Sequence, residues 1–592
     1  MNIRTKNERK KYDKNIFKNI IWIVHNIRVI DNKYIFISIL STIINGIISP
    51  ISLVIMQKII NGVQVEKNLN NIIFYIIIYI SIDLFNSIYS SILGYYNTKY
   101  TMKFNLYFSE KIYLKASRLS LSDYENSKTY DIMNRAQNQG GNNLLSYYGD
   151  FMSVITQLIT LSSYIFILIN FRVWLVVVIM IIPIFKYFIN NKFNLKRFEI
   201  IKGRTNDSRK SWYLTYLLSY GNFYKELKTY NLFSYFINKY KNLIKRFNKE
   251  DLDINKTQIK WSSLISIVET LVDGFIFYFT ISLGFLGHIL IGDVITYIRA
   301  ISNSKSNITS VLLGLSNMVN QSLFIGQLFE FFDLKEEDVS NKIKIDKIKE
   351  IEIKNLYYKY TSSREYVLRN INLHIGKNEK IAILGMNGSG KTTLIKLIMG
   401  FYRNYEGNIL INGIEVRDID KESLLKEIST LFQDFVKYEA SFRENISYSN
   451  LDIMNEDEKI KNIANKFNFL DLINSYDKKL DTQLGMWFDD GINLSMRQWQ
   501  KVALARAFAK NSSMYILDEP NAAMDAITEK EISNLYKDIL ENKIGIIIAH
   551  RFLNIVNIVD KIIVLQNGEI VERGSHEELI KSGNIYKKLI KL

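Results

Sequence analysis

Residues 385–392 read Gly-Met-Asn-Gly-Ser-Gly-Lys-Thr, a complete match to the pattern G-x-x-x-x-G-K-S/T. The apolar run Lys380–Leu384 before this stretch predicts a strand, and Thr393–Met399 after it predicts a helix. Glycines let backbone N–H groups curl around phosphates, the lysine reaches the β- and γ-phosphates, and the hydroxyl binds Mg²⁺. The positive end of the following helix adds to the attraction. The stretch therefore predicts a nucleotide site in which Lys391 binds phosphate and Thr392 binds Mg²⁺.

Two acidic residues end an apolar run further along the chain. Met514–Leu517 predicts a buried strand, and Asp518 and Glu519 follow it directly. Open parallel sheets place ligand chemistry at the carboxyl ends of their strands. We therefore expect Asp518 to bind Mg²⁺ and Glu519 to polarise the attacking water. A solvated helix start fits Glu519 less well, because Pro520 comes next.

Gln433 and His550 also follow short apolar runs, Thr430–Phe432 and Ile544–Ala549. We expect Gln433 to orient water or to bind Mg²⁺, and the alternative is an ordinary surface glutamine. We expect His550 to sense the γ-phosphate, and the alternative is a core histidine.

Membrane-like runs dominate the chain before about residue 330. Soluble helices carry a polar face, which most of these runs lack, and each has the ~20 residues needed to cross a bilayer. Four runs are nearly uncharged: Tyr34–Met56, Ile72–Leu93, Phe151–Asn170 and Val173–Asn190. A third pair, Ser262–Leu286 and Asp293–Phe332, is less apolar because it contains charged side chains. We predict a membrane bundle of six helices.

After about residue 333, short β-like runs alternate with helical segments, which predicts a soluble α/β domain with a largely parallel sheet. Its strands are expected at Ile351–Tyr360, Lys380–Leu384, Met514–Leu517, Ile544–Ile548 and Lys561–Leu565. The predicted parts are an N-terminal cytoplasmic or interfacial segment (residues 1–33), a transmembrane domain (34–332), a linker (333–350) and a nucleotide-binding domain (351–592).

The charge balance indicates topology. The 592 residues include 76 Lys+Arg and 59 Asp+Glu, which leaves a net charge of +17. Much of the excess falls in the N-terminal segment and in two long stretches between spans, residues 98–150 and 191–261. Positive-inside bias then places these parts and the C-terminal half in the cytoplasm, as in a multi-pass protein of the cytoplasmic membrane. With 0 cysteines, disulfides, cysteine-ligated metal sites and cysteine nucleophiles are excluded.

In this order behind a membrane half, the motifs resemble the ATP-binding cassette (ABC) transporter family, and specifically an exporter-type half-transporter. The resemblance implies ATP and Mg²⁺ as cofactors, ATP hydrolysis coupled to transport, and a dimer that encloses two ATP molecules. By this resemblance Tyr360 stacks on adenine, Asp525 matches the D-loop aspartate, and Glu519, His550, Gln433 and Lys391 are catalytic. Metal binding falls to Thr392, Gln433 and Asp518. The ATP loop comprises Gly385, Asn387, Gly388, Ser389, Gly390, Lys391, Thr392 and Thr393.

One motif departs from the family pattern. Where the family has Leu-Ser-Gly-Gly-Gln, residues 494–498 read Leu-Ser-Met-Arg-Gln. In the family this motif contacts the ATP held by the other subunit, so Ser495 and Gln498 are retained contacts and Arg497 is a possible substitute cation. Glycine permits a close backbone approach that larger side chains crowd. We expect a weakly hydrolysing half-site, and hence a heterodimer with a subunit whose motif is intact. A homodimer stays open.

The cargo is inferred from residues 481–495 and from Trp499, which resemble exporters of ribosomally made peptides of the lantibiotic type. Without cysteine, the chain cannot contain the leader-trimming cysteine peptidase of some peptide exporters, so any leader is expected to be removed elsewhere. Glu269 and Asp273, four residues apart in the fifth span, are candidates for binding a cationic peptide, because acids at membrane depth usually face a bundle interior.

Other functions stay open. An aromatic-rich membrane half also suits a multidrug or lipid exporter, whose cargo would be a hydrophobic small molecule or membrane lipid. A non-transporting ABC ATPase acting on nucleic acid is a further alternative. Such proteins lack membrane spans, so no nucleic-acid partner is expected.

Overall fold

The computed structural model describes residues 16–66, 68–337, 342–361, 363–519, 526–549 and 556–591 of the chain. These residues form two compact units. The first comprises the described residues up to Ser117 together with Asp131–Leu334, and the second comprises Arg118–Tyr130 and the described residues from Lys335 onward. The short segment Arg118–Tyr130 therefore belongs with the unit that carries the nucleotide motifs, although the chain continues from both of its ends into the first unit.

Long helices build the first unit. They form because apolar runs at membrane depth satisfy their backbone hydrogen bonds within the helix, and several glycines and two prolines, Pro50 and Pro183, lie inside them. In chain order, with α4 belonging to the second unit, the helices are α1 (Ile16–Ile30), α2 (Asn32–Asn61), α3 (Leu69–Ser117), α4 (Leu121–Tyr124), α5 (Ser127–Ile169), α6 (Val173–Gly203), α7 (Thr205–Ser219), α8 (Tyr224–Thr229), α9 (Phe233–Phe285) and α10 (Ile291–Phe332).

Five helical segments among the described residues are long and apolar enough to cross a membrane. They are Asn32–Val65, Leu69–Ser117, Asn143–Ile169, Val173–Ile201 and Phe233–Phe285. The 49 residues of α3 correspond to about 73 Å, against a hydrocarbon core of about 30 Å. The sixth expected span, α10, has 42 residues but is not among these five. A count of six crossings therefore stays a prediction.

Among its described residues, the second unit contains two sheets. The expected parallel sheet is present. Its strands lie in the order Glu569–Gly574, Lys561–Gln566, Lys380–Leu384, Ile544–Ile548, Met514–Asp518 and Ile428–Leu431, and all neighbours pair in parallel except the first two. The expectation that Ile351–Tyr360 joins this sheet is wrong. Residues Ile351–Tyr358 instead belong to a separate antiparallel sheet, because their hydrogen bonds go to the strands Leu368–Ile375 and Glu406–Ile411.

The strands of this unit are β1 (Ile351–Tyr358), β2 (Leu368–Ile375), β3 (Lys380–Leu384), β4 (Glu406–Ile411), β5 (Ile414–Glu415), β6 (Ile428–Leu431), β7 (Met514–Asp518), β8 (Ile544–Ile548), β9 (Lys561–Gln566) and β10 (Glu569–Gly574). The helices are α11 (Lys391–Ile398), α12 (Lys421–Lys426), α13 (Phe442–Ser447), α14 (Asp457–Lys466), α15 (Leu470–Asn474), α16 (Met496–Ala509), α17 (Ala526–Ile539), α18 (His576–Ser582) and α19 (Asn584–Lys591).

Both faces of the parallel sheet are buried. Along β3, Ala382 and Leu384 face one hydrophobic core, and Ile381 and Ile383 face the other. The side-chain period of two in a strand produces this division, and continuous apolar runs are typical of strands covered on both faces. Most polar groups therefore lie at the ends of the strands, which is where the candidate site lies, although Ser429 is buried within the strand Ile428–Leu431.

In the first unit, Gly46 allows α2 and α5 to approach closely. A Cβ atom at position 46 would lie 2.7 Å from Cγ2 of Ile159 and 3.3 Å from the backbone oxygen of Thr156. The Thr160 hydroxyl donates a hydrogen bond to the Gly46 carbonyl at 3.0 Å. Small residues and hydroxyl bonds of this kind hold membrane helices together, because lipid removes the hydrophobic drive for association.

The substitution Gly46→Val is expected to lower stability by about 1–3 kcal/mol, the usual cost of overpacking a core. Thermal unfolding of the purified protein in detergent measures the change. Gly94→Val is the matched control, because nothing lies within 4 Å of a Cβ at that helical glycine. Equal midpoints for the two variants would contradict the close approach as a source of stability.

Candidate nucleotide site

Glycines shape the loop that joins β3 to α11. Gly385, Gly388 and Gly390 have φ values of +157°, +79° and +102°. A Cβ at Gly385 would lie 2.2 Å from the Leu565 carbonyl oxygen and 2.7 Å from Ser389 Oγ, so no other residue fits there. Asn387 is exposed at the loop. The loop thus presents backbone rather than side chains, as phosphate cradles require.

Lys391 begins α11 and turns its ammonium group back over the loop. Its Nζ donates to the carbonyl oxygens of Gly385 at 2.7 Å and Met386 at 3.0 Å. Burial lowers the pKa of Lys391, while the negative charges of Glu519 and Asp518 oppose the shift. The lysine is therefore a buried cation held close to the glycine cradle.

The hydroxyl and carboxylate predicted to bind Mg²⁺ lie next to each other. Thr392 Oγ1 donates to Asp518 Oδ2 at 3.1 Å. The contact forms because β3 and β7 both pair in parallel with β8, so that their carboxyl ends share one edge. Asp518 is 2% exposed, and burial raises its pKa, an effect that Glu519 reinforces and the Thr392 hydrogen bond opposes.

Glu519 and Gln433 are also brought together, across 86 residues of sequence. Gln433 Nε2 donates to Glu519 Oε2 at 2.7 Å. Glu519 has a left-handed backbone (φ 50°), and its N–H donates to the Ile548 carbonyl at 2.9 Å. Non-glycine residues with such a backbone conformation concentrate at functional sites.

Tyr360 lies beside the same loop. Its hydroxyl shares a 2.8 Å hydrogen bond with Thr393 Oγ1, in the first turn of α11. The two residues are 33 positions apart, and only the resemblance to the family had linked them. The structure therefore places an aromatic ring at one end of the phosphate cradle.

The donor set fits a nucleotide and its cation. Ser389 is 5% exposed, and its Oγ has no hydrogen-bond partner among the described residues, although it faces the space that a Cβ at Gly385 would fill. Buried polar groups are nearly always paired, so this hydroxyl fits a bound phosphate. The hydroxyl of Thr392 and the carboxylate of Asp518 are the hard oxygen ligands that Mg²⁺ prefers.

The divergent motif begins a helix. Ser495 is the N-cap of α16: its Oγ accepts from Gln498 N at 3.3 Å, and its own N–H donates to Gln498 Oε1 at 2.8 Å. Met496 is 49% exposed, and Arg497 lies beside it in the first turn. Neither residue has a positive φ, so the local backbone does not require the glycines of the family pattern. Two predicted residues, Asp525 and His550, lie outside the described residues.

Glu269 and Asp273, the candidate cargo residues of α9, belong to a cluster of four charges in the first unit. Lys305 Nζ on α10 lies 2.7 Å from Asp273 and 3.1 Å from Glu269, and Lys186 Nζ on α6 lies 3.5 Å from Glu269. Lys305 is buried. In the sequence, Lys305 is only a charged residue in an amphipathic run. Its ion pairs with Glu269 and Asp273 depend on how the helices are rotated about their axes, which the sequence does not show.

Comparison with known proteins finds two family matches, one in each half of the chain. Residues 35–302 match the ABC transporter transmembrane region, and residues 368–522 match the ABC transporter family. The chain is similar in fold to a bacterial Atm1-family ABC exporter solved with ATP bound. The TM-score is 0.76 at 19% identity, and the match covers 94% of this chain and 98% of the other.

Several relatives match at higher identity. The subtilin transport ATP-binding protein of Bacillus subtilis is 36% identical over 93% of this chain and 90% of its own length. The nisin transport ATP-binding protein of Lactococcus lactis is 34% identical over 95% and 94%. The ATP-dependent lipid A-core flippase of Salmonella typhimurium is 34% identical, but over 45% of each chain. Similarity that spans both units at this level shows that the chain belongs to the ABC transporter family.

Proposed function

We propose that this chain is half of an ATP-driven exporter that moves a ribosomally made, lantibiotic-type peptide across the cytoplasmic membrane. The observation that carries the cargo assignment is end-to-end similarity to two proteins named for subtilin and nisin transport, 36% and 34% identical over more than nine-tenths of this chain. The flippase match extends over less than half of each chain, so it supports a lipid cargo less well.

Different residues of the second unit have different roles in ATP hydrolysis. Bound Mg²⁺–ATP supplies the phosphoanhydride bond whose cleavage drives export. Lys391, which is bonded to loop carbonyls in the structure, would bind the phosphate oxygens, and Thr392 and Asp518 would hold the cation. Glu519 accepts a proton from the attacking water at Oε2, the atom that Gln433 holds at 2.7 Å. Asp525 and His550 complete the proposed site, with the roles that the family resemblance implies.

Topology and assembly follow from charge and from the divergent motif. Lys and Arg concentrated outside the spans favour a cytoplasmic N-terminus and a cytoplasmic nucleotide unit. Family half-transporters act as pairs, and we favour a heterodimer, in which this chain contributes Lys391, Glu519 and His550 to a site completed by an intact partner motif. Ser495, Arg497 and Gln498 would face the partner's nucleotide.

The four-charge cluster suits a cationic peptide. Lys305 and Lys186 neutralise Glu269 and Asp273, so the acids already bind ammonium groups. An incoming lysine that makes equivalent contacts takes the place of the resident one, and the displaced Lys305 ammonium group then has to reach water, because a charge left buried and unpaired is costly. Cargo binding by exchange for Lys305 is therefore the role we propose for Glu269 and Asp273.

The substitution Glu519→Gln tests hydrolysis. It keeps the shape of the side chain but removes the proton acceptor, so phosphate release is expected to fall by about 100-fold or more. Glu569→Gln, on the exposed start of β10, removes an acid by the same chemical change and is the control. An unchanged rate in the Glu519 variant would exclude Glu519 as the base.

The paired substitution Met496→Gly and Arg497→Gly tests the divergent motif. If these side chains crowd the partner's nucleotide, the Mg²⁺-dependent ATPase rate of the chain purified alone should rise at least about threefold, since glycine permits the closer approach. A robust Glu519-dependent rate in the unaltered chain, unimproved by the glycines, would contradict both the impaired half-site and the heterodimer.

Cargo binding is tested by removing all four charges together, with Glu269→Gln, Asp273→Asn, Lys186→Met and Lys305→Met. This set leaves no buried charge unpaired, so folding should survive. Export of a cationic peptide into inverted vesicles is expected to fall about tenfold while ATPase activity persists. Full export by this variant would exclude the cluster as the cargo site.

A further inference from the structure

The segment Arg118–Tyr130 is anchored within the second unit. Its short helix α4 is capped by Ser120, whose hydroxyl accepts from Asp123 N, and Leu121 packs against the core that contains β1 and α11. The Arg118 carbonyl accepts a 3.0 Å hydrogen bond from Glu337 N. The segment is therefore held to the nucleotide unit at several points, although α3 and α5 continue from its ends.

Glu125, which directly follows α4, contacts the buried Tyr402. The Tyr402 hydroxyl lies 2.8 Å from one carboxylate oxygen of Glu125 and 2.9 Å from the other. Lys396 Nζ lies 3.4 Å from the same carboxylate. Tyr402 is only 4% exposed, and burial together with Glu125 raises its pKa, so the hydroxyl stays protonated and donates. The ion pair between Lys396 and Glu125 contributes little stabilisation by comparison, because both side chains are partly exposed and water screens their charges.

Tyr402 packs in turn against the aromatic group of the nucleotide site. Its ring stacks on Tyr358 at 5.2 Å and meets the edge of Tyr360 at 5.7 Å with an interplanar angle of 90°. Tyr358 and Tyr360 are themselves in edge contact at 5.2 Å. Such geometries favour fixed ring orientations. The hydroxyl of Tyr360 then reaches Thr393 at 2.8 Å, beside the phosphate cradle.

We propose that Glu125 is a positioning residue for the adenine end of the nucleotide site, acting through Tyr402 on Tyr360. The contacts form an unbroken series from a segment continuous with α3 and α5 to the first turn of α11. This inference rests on the proposed function, since it takes Tyr360 to face adenine.

The test uses the full-length chain in detergent with Tyr402→Phe, Glu125→Ala and both together. Tyr402→Phe keeps the ring contacts and removes only the hydroxyl that Glu125 holds. Each single change is expected to raise the KM for ATP about three- to tenfold, the worth of one hydrogen bond, with kcat within about twofold. Because both changes break one link, the double variant should resemble the singles. Binding of trinitrophenyl-ATP, followed by fluorescence, should weaken in parallel.

Two further variants separate positioning from general damage. Glu125→Gln keeps an acceptor for the Tyr402 hydroxyl and should restore a KM near that of the wild type. Tyr366→Phe removes another tyrosine–carboxylate bond, the 2.6 Å contact with Glu406 at the surface, and should leave the KM unchanged.

Three results would overturn the inference. An unchanged KM in Tyr402→Phe, or additive effects in the double variant, would exclude Glu125 as a positioning residue while the proposed function stands. A wild-type chain that binds no trinitrophenyl-ATP would remove the proposed function, and the inference with it.

Discussion

The backbone of β9 passes so near the nucleotide loop at Leu565 that only glycine fits at position 385. This approach ties the start of the loop to the parallel sheet. The loop then leads from the carboxyl end of β3 into α11, and Lys391 and Thr392 are the first two residues of that helix. Asp518 arrives at the same edge because β7 and β3 flank β8. The distances at the site thus derive from sheet geometry rather than from the side chains themselves.

Local features of the site could be predicted from sequence, because strand, loop and helix follow one another along the chain. Lys391 and Asp518 are predicted as site residues in this way, and the structure places both beside the loop. The bond between Gln433 and Glu519 joins different strand ends, and no local pattern encodes it. The antiparallel sheet was missed because β1 reads as another apolar strand, and its direction relative to its neighbours depends on distant pairing.

Prediction from the sequence has the same limit in the first unit, where contacts between distant residues are not visible. Apolar runs identify helices by length alone, and the break between α5 and α6 at Phe171 and Arg172 was visible in the sequence. Helix rotation was not visible, so Glu269 and Asp273 appeared as isolated acids. In the structure each has a lysine partner, supplied by α10 and, for Glu269, also by α6. The polar character that keeps α10 from resembling a simple span is therefore what pairs it with its neighbour.

The net charge of the four-charge cluster also determines how the cluster responds to the electric field across a membrane. Two carboxylates and two ammonium groups sum to zero, so the cluster carries no net charge in the electric field of a membrane. The field does about 2.3 kcal/mol of work per elementary charge moved through 100 mV, and on a neutral cluster that moves as one body this work vanishes. Movement of this cluster as one body is then electrically silent, so a voltage dependence of export would be contributed by the other charges of these helices, such as Arg299, and by the cargo.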